Sequence, residues 1–445
     1  MDRAMTLPKR GSLLLALLAC CLALTSCTAK DDRTEIYLQR FFGECGAEYG
    51  RLTDLSKAEG ECGIVTTLLN RFQAENPDIH LDVNIVAWPG YAQLAAQMAA
   101  KDPPDLVTMH QGVIADYQVR GLLEPINASL AQAGLDPNQF TAAGLRGVTK
   151  GGQIYALPWD TIGGLFHVNL KLFEQAGLMR DGKPILPRSP DELLAQARQF
   201  KARTGKPYLI QSTVNDPATF TRNFYTYLLA QDANFFPEPR RVSFNAPEAR
   251  RVVELYRTIQ REGLSTRNQD DPAAIQSFLA GEGGAFPTGT WMIGSFDKEA
   301  GTPGRALHNA YGVYPYPRLF GRDAAFVDGH SWVMPVRERT PEQRAAIARL
   351  LRFMAEHNYD WSRTGHIPAV RSVVEGAAFK ALPHRADIAP LAVTGAPLPG
   401  HARLQGPIEG IIGEELAAAI TGTKPVDRAL IDAERRVNEL LANAI

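Results

Sequence analysis

Hydrophobic and polar positions follow two periods along this chain, and the switches between them mark out its elements. Thr34 to Phe42 alternates and is rich in aromatic and branched residues, which predicts a strand. From Gly63 to Glu75 the apolar residues Ile64, Val65, Leu68, Leu69 and Phe72 recur at helical spacing, and Asn76-Pro77 ends the helix. Alternation returns with Ile79, Leu81, Val83 and Ile85, in a stretch that runs to Trp88. Tyr91 to Ala100 reads as a helix, Asp105 to Met109 as a short buried strand and Val113 to Gly121 as a further helix. Strands that alternate with helices predict an α/β fold around a parallel sheet with both faces covered.

A second α/β region begins near Gly151. Ile154 to Pro158 and Gly164 to Asn169 read as strands. Pro190 to Thr204 is a helix with a clear start, because Ser189 can cap it and Asp191 and Glu192 fall in its first turn. Ala246 to Glu262 and Pro272 to Ala280 are further helices, and Gly312 to Pro315 and Ala324 to Pro335 return as extended segments. The remainder is mainly helical, in Pro341 to His357, Ile408 to Thr421 and Pro425 to Ala444. There is no internal repeat.

The N-terminus has a different pattern. A basic start (Arg3, Lys9, Arg10) precedes an unbroken apolar and small stretch from Leu13 to Leu24, the layout of a secretory signal. Leu24-Thr25-Ser26-Cys27 then resembles the bacterial lipobox, in which the cysteine is acylated and becomes the first residue. This assigns 1–26 to a signal peptide, Cys27 to lipidation and 27–32 to a tether. It places the protein in the cell envelope, lipid-anchored to a membrane and facing the periplasm or exterior. The alternatives are an ordinary cleaved signal with an incidental cysteine, or a transmembrane anchor. The apolar run falls short of the roughly 20 residues that a spanning helix needs.

Composition narrows the partners. The chain has 445 residues, enough for two or three domains, with the hydrophobic and charged fractions of an ordinary globular protein. Its formal net charge is −1; residues 1–26 hold three basic groups and one acidic group, so their removal leaves −3. That balance argues against a nucleic-acid partner, which demands a basic surface. Of five cysteines, Cys20 and Cys21 leave with the signal. Cys45 and Cys62 remain as an even pair in an oxidising compartment and bracket a Gly-rich polar loop, which predicts a disulfide. Two free thiols or a metal pair are the alternatives, and no further ligands stand at zinc spacing.

The order of the segments leads to a family. Phe72 to Pro77 followed by Ile79 to Val83, Asp105 to Met109 after Pro104, Gly152 to Pro158 followed by Asn169, Phe278 to Ala285 leading to Trp291, and Gly365-His366-Ile367-Pro368-Ala369 together resemble the extracellular solute-binding proteins of carbohydrate ABC importers, the maltose-binding-like group. The resemblance spans about four hundred residues. This chain has Val168-Asn169 where the family often has Tyr-Asn, and its Cys45–Cys62 loop is longer than usual. The resemblance implies an α/β fold of two lobes joined by a hinge, with the ligand in the cleft between them and closure on binding. By resemblance the N-terminal lobe is 33–147 plus 311–338 and the C-terminal lobe is 148–310 plus 339–445. The implied protein is a monomer that hands a small-molecule carbohydrate, such as trehalose or maltose, to ABC transporter permease subunits. It needs no cofactor or metal and performs no covalent chemistry.

A sugar site needs aromatic platforms and a few planar donors and acceptors. In open α/β sheets, ligands bind outside the carboxyl ends of strands. Trp88, His110, Gln111, Trp159 and Asp160 fall at such ends. Trp291 matches the family's sugar-stacking tryptophan, and Gly329-His330 matches a turn that meets the sugar through its backbone. Arg371 can donate to vicinal hydroxyls, and Glu44 ends the first strand. Each has a structural alternative: core packing for the tryptophans and His110, a loop cap for Asp160, a surface ion pair for Arg371. Trp332 and Trp361 are expected to pack. Nucleophile-elbow, phosphate-loop and zinc-protease motifs are absent from the sequence. A surface-anchored glycoside hydrolase, with its carboxylates hidden among 48 acidic residues, is the alternative enzyme reading. A chemoreceptor adaptor or adhesin on the same fold is a third.

Overall fold

The computed structural model describes residues 32–215 and 218–444. The signal peptide, Cys27 and most of the tether lie outside them. Strands β1 (Thr34–Arg40), β2 (Ile79–Ile85), β3 (Leu106–His110), β4 (Ala156–Pro158), β5 (Asp160–Asn169), β6 (Ala285–Gly289), β7 (Tyr311–Tyr314), β8 (Ala325–Asp328), β9 (His330–Val333), β10 (Ile367–Pro368) and β11 (Gly395–Ala396) form two sheets. The longer helices are α1 (Gly60–Glu75), α2 (Pro190–Thr204), α3 (Ala218–Leu229), α4 (Pro247–Arg261), α5 (Pro341–Glu356), α6 (Gln405–Thr421) and α7 (Val426–Ala442). Among the described residues, no helix is long and apolar enough to cross a membrane.

The first sheet has the order β2-β1-β3-β9-β4. Only β2, β1 and β3 run parallel; β9 is antiparallel to both β3 and β4. In the second sheet the long strand β5 pairs antiparallel with β6, β7, β8 and β10. The expected parallel sheet is therefore confined to three strands. In the first sheet only β9, the strand that returns from the second half, runs in the opposite direction; β4 points the same way as β1–β3 but is separated from them by β9.

Two bodies share the core. Phe72 and Leu68 of α1, Ile36 and Leu38 of β1, and Ile347 and Met354 of α5 bury one another in the first, together with Val148, Leu157 and Trp159. A second body buries Phe224 of α3, Ile259 of α4, Ile412 of α6 and Val437 of α7. Strand pairing and core contacts divide the chain at other points than the expected lobe boundaries. The chain leaves the first core at Trp159–Asp160 rather than at 148. Tyr311–Tyr314 and Ala325–Asp328 pair with β5, so the return to the first sheet begins at His330 rather than at 311. Helix α5 packs back on the sheet that the chain has just rejoined, which gives the first body the segment through Val370 that was expected in the second.

Local chemistry explains the sharpest element edges. Ser189 accepts a hydrogen bond from Glu192 N, Pro190 opens α2, and Gly205 at φ 71° closes it. Thr340 and Gln343 form a reciprocal capping box at the start of α5. The expected helix from Val113 to Gly121 is a 3-10 turn, Gln111–Val113, followed by a short helix, Ile114–Gln118. Cys45 and Cys62 are joined in a disulfide that ties the loop after β1 to the first turn of α1.

Candidate ligand-binding cleft

Three pieces of backbone cross between the bodies side by side: Trp159–Asp160, Asp328–His330 and Gly365–Ala369. Trp159 N donates to His330 O, Ala369 N to Trp159 O, and Gln111 N to Gly329 O. Gly329 is required at its crossing, because a Cβ there would lie 2.3 Å from Asp160 O and 2.5 Å from the Gln111 amide nitrogen. The Gln111 side chain, buried, donates to Asp160 O at 3.1 Å and His330 O at 3.4 Å. It stitches two crossings together instead of facing a ligand.

Asp160 is fully buried at this junction. His330 N donates to its Oδ1 at 2.7 Å, while His330 Nδ1 at 2.8 Å and Trp361 Nε1 at 2.7 Å meet its Oδ2. Burial pushes the Asp160 carboxyl up, but the charge of His330, then that of His366, and the hydrogen bonds from His330 outweigh burial and bring it to about 2. His330 is raised by the same pairing against the opposing effect of its burial. With Nδ1 committed to Asp160, His330 offers Nε2 to the cleft. Asp160 thus positions His330 and Trp361 and takes no place in the cleft lining.

A cleft of about 450 Å³ opens above this junction, lined by Phe41, Phe42, Glu61, Trp88, Arg222, Trp291 and the three imidazoles of His110, His330 and His366. Phe42 and Gly43 leave β1 at φ 82° and φ 80°. Left-handed backbone is costly for phenylalanine. Here it sets the Phe42 ring edge-on to His330 at 4.9 Å and Trp361 at 5.0 Å. Phe41 stacks on His110 at 5.2 Å. His366 Nε2 meets Glu61 Oε1 at 2.6 Å. The Glu61 carboxyl is raised by burial but lowered more by that bond and by the charges of His366 and His330, so its net shift is downward.

Tyr91 holds His110 at two points: its Oη accepts from the His110 backbone N–H at 3.0 Å and lies 2.7 Å from His110 Nδ1. Burial, with the charges of His330 and Arg222, pushes the imidazole well below its usual value and keeps it neutral.

A second chamber of about 370 Å³ continues past Trp88, His110 and Arg222 and is lined further by Tyr91, Tyr117, Asp116, Arg120 and Glu409. Arg222 reaches it from α3, held in a forked contact with Glu409 at 3.0–3.2 Å. Gln405 Nε2 also donates to Glu409 at 3.0 Å.

Of the residues expected at the site, Trp88, His110, Trp291 and His330 line the cleft. Trp88 is 66% exposed and Trp291 is half-buried. The other six are elsewhere. Trp159 is fully buried and stacks on Trp361 at 3.8 Å; Trp332 is equally buried beside it. Asp160, Gln111 and Gly329 build the crossing. Glu44 is exposed and folds back on Gly46 N at 2.6 Å, while only its neighbour Gly43 touches the cleft. Arg371 is exposed and donates to Phe140 O at 3.2 Å. Strand ends bring these residues to the cleft region, and the facing of alternate side chains decides which of them line it. Glu61, Arg222, Phe41 and Phe42, which no sequence signal singles out, also line the cleft, as does His366 from the Gly365–Ala369 turn.

Residues 67–387 match the family described as bacterial extracellular solute-binding protein. The chain belongs to this family. Solute-binding proteins of this kind work outside the cytoplasm. The fold is similar to that of the cyclic alpha-maltosyl-1,6-maltose binding protein from Arthrobacter globiformis, with TM-score 0.75, 20% identity, and 92% of this chain and 100% of that one covered. It is similar too to the sugar-binding protein MalE from the phytopathogen Xanthomonas citri, with TM-score 0.76, 18% identity and coverage of 92% and 98%. Maltose-bound T. maritima MalE3 gives 0.71, 18%, 92% and 100%. At these identities the likeness establishes the two-lobe periplasmic-binding-protein fold. A search of curated sequences gives no match.

Proposed function

We propose that this solute-binding protein captures a carbohydrate in the cleft, closes on it and delivers it to the permease of an ABC importer. The reading rests on one arrangement. Two accessible indoles (Trp88, Trp291), with Phe41 and Phe42 packed behind the imidazoles, surround a cleft that also holds a guanidinium and a carboxylate. Pyranose C–H faces pack on rings while their hydroxyls need planar donors and acceptors. Relatives of the same fold are sugar-binding proteins by name, which supports the choice of solute. A disaccharide such as maltose or trehalose fits the first chamber, and the second, continuous at Trp88, gives a longer chain room to extend. A hydrolase would need two cleft carboxylates, one with a raised pKa; Glu61 is shifted down, while burial raises Asp116 and Asp328 beside the second chamber, so an assay for released reducing sugar separates the two readings.

A thermal-shift screen against mono-, di- and trisaccharides and glycerol phosphate tests this directly, since ligand bound only to the native state raises the midpoint. The expected result is stabilisation by one glucan series, with release of no reducing sugar. Silence across every sugar in the panel would sink the reading.

We further propose that Cys27 carries the acyl anchor, with the protein acting as a monomer beside its permease. Cys27→Ser should move the protein from the membrane to the soluble fraction; unchanged fractionation would overturn the anchor.

A further inference from the structure

A second cavity, of about 350 Å³, lies apart from the cleft and shares no lining residue with either chamber. It is formed where the ends of α4 and α6 meet the loop after α4. Its walls carry Arg257, Arg261 and Arg267, with Thr213, Gln260, Asn268 and Thr421 between them. Arg257 and Arg261 stand one helical turn apart on α4, where like charges repel.

The local acids have their hydrogen bonds elsewhere, although the Glu262 charge is felt by Arg261. Glu262, next in sequence to Arg261, is held by Arg198 through two bonds of 2.6 and 2.7 Å. Asp270 caps the following helix through Ala273 N. Arg267 donates to Gln260 O at 2.6 Å, a carbonyl in the last turn of α4. Among the described residues, Arg257 and Arg261 have no carboxylate partner. The C-termini of α4 and α6 each bring about half a negative charge. Arg257, half-buried, and the exposed Arg261 and Arg267 set three guanidinium groups around one cavity and give it a net positive lining.

From this geometry we infer that the cavity is a binding site for a compact dianion with several equivalent oxygens, of the phosphate class. Guanidinium forks match tetrahedral oxyanions bidentately, and the Thr213, Asn268 and Thr421 side chains supply neutral polar groups around them. The site is independent of the sugar cleft. A phosphate can reach it as the free ion or as the headgroup of an anionic phospholipid.

The test uses the purified protein and the variant Arg257→Ala/Arg261→Ala, titrated with sodium phosphate against sodium chloride at matched ionic strength. Phosphate is expected to raise the wild-type melting midpoint above the chloride control. The variant should lose that rise, with its apparent affinity weakened by about tenfold or more. Its unliganded midpoint and its response to sugar should not change. Arg257→Lys/Arg261→Lys keeps the charge and should recover only part of the phosphate response. Equal phosphate and chloride responses in the wild type would overturn the site, as would a phosphate response retained in the alanine variant. Sedimentation with phosphatidylglycerol vesicles separates the two sources. Vesicle binding that phosphate competes away and the variant lacks identifies a headgroup, whereas phosphate binding without vesicle binding identifies the free ion.

Discussion

Asp160→Asn lowers the stability of the unliganded protein by roughly 3–5 kcal/mol, the cost of removing one partner from a buried ion pair. The substitution leaves no cavity, so the loss is electrostatic. Three donors (His330 N, His330 Nδ1 and Trp361 Nε1) converge on the two carboxylate oxygens. An amide offers one oxygen and turns an N–H toward the rest. Urea unfolding at pH 5 measures the difference; a change under about 1 kcal/mol, the scale of an ordinary surface substitution, would refute the role. The pH dependence gives an independent signature. In the folded protein Asp160 titrates at about 2, below its ordinary 3.8. Its contribution is therefore present above the ordinary value and is lost as pH falls through the folded value. His330 is shifted upward from 6.5. Its contribution is full below 6.5 and is lost as pH rises through the raised value. Wild-type stability should decline at both ends, and the variant should lose both slopes in part.

Trp88→Ala should weaken sugar binding by at least about thirtyfold, the 2 kcal/mol of an interface hot spot, while leaving the melting temperature of the free protein almost unchanged. Trp88 is 66% exposed and stands where the two chambers meet. Its indole edge approaches His110 at 5.8 Å, so it walls the cleft without filling the core. A buried tryptophan such as Trp159 would lose stability first and binding as a consequence. Titration calorimetry with the best sugar from the screen separates the two cases. Unchanged affinity would remove Trp88 from the site, and a lowered melting temperature would make it a packing residue.

Much of this architecture is legible in the sequence wherever one physical signal dominates. Pro190–Thr204 has its cap, its opening proline and its closing glycine written in order. Trp332 and Trp361 are buried as expected, and the two later cysteines are paired. Helix α3, with Phe220, Thr221 and Asn223 through Leu228 buried, has no counterpart among the expected elements. With α3 went Arg222. The site was half legible. Strand ends predict where a cleft opens, but Trp159 and Asp160 lie where one body touches the other. There, both alternating positions face protein. Glu61 and His366 meet from opposite parts of the chain, 305 residues apart, and no local pattern announces such a pair.

The insertion of His330–Val333 between Leu106–His110 and Ala156–Pro158 also orders events in time. The first sheet lacks the strand that joins β3 to β4 until residue 333 has been made. Contacts of such long sequence separation are slow to form. In this chain the pairings that join His330–Val333 to Leu106–His110 and Ala156–Pro158 therefore complete the first sheet only after its parallel strands have been made.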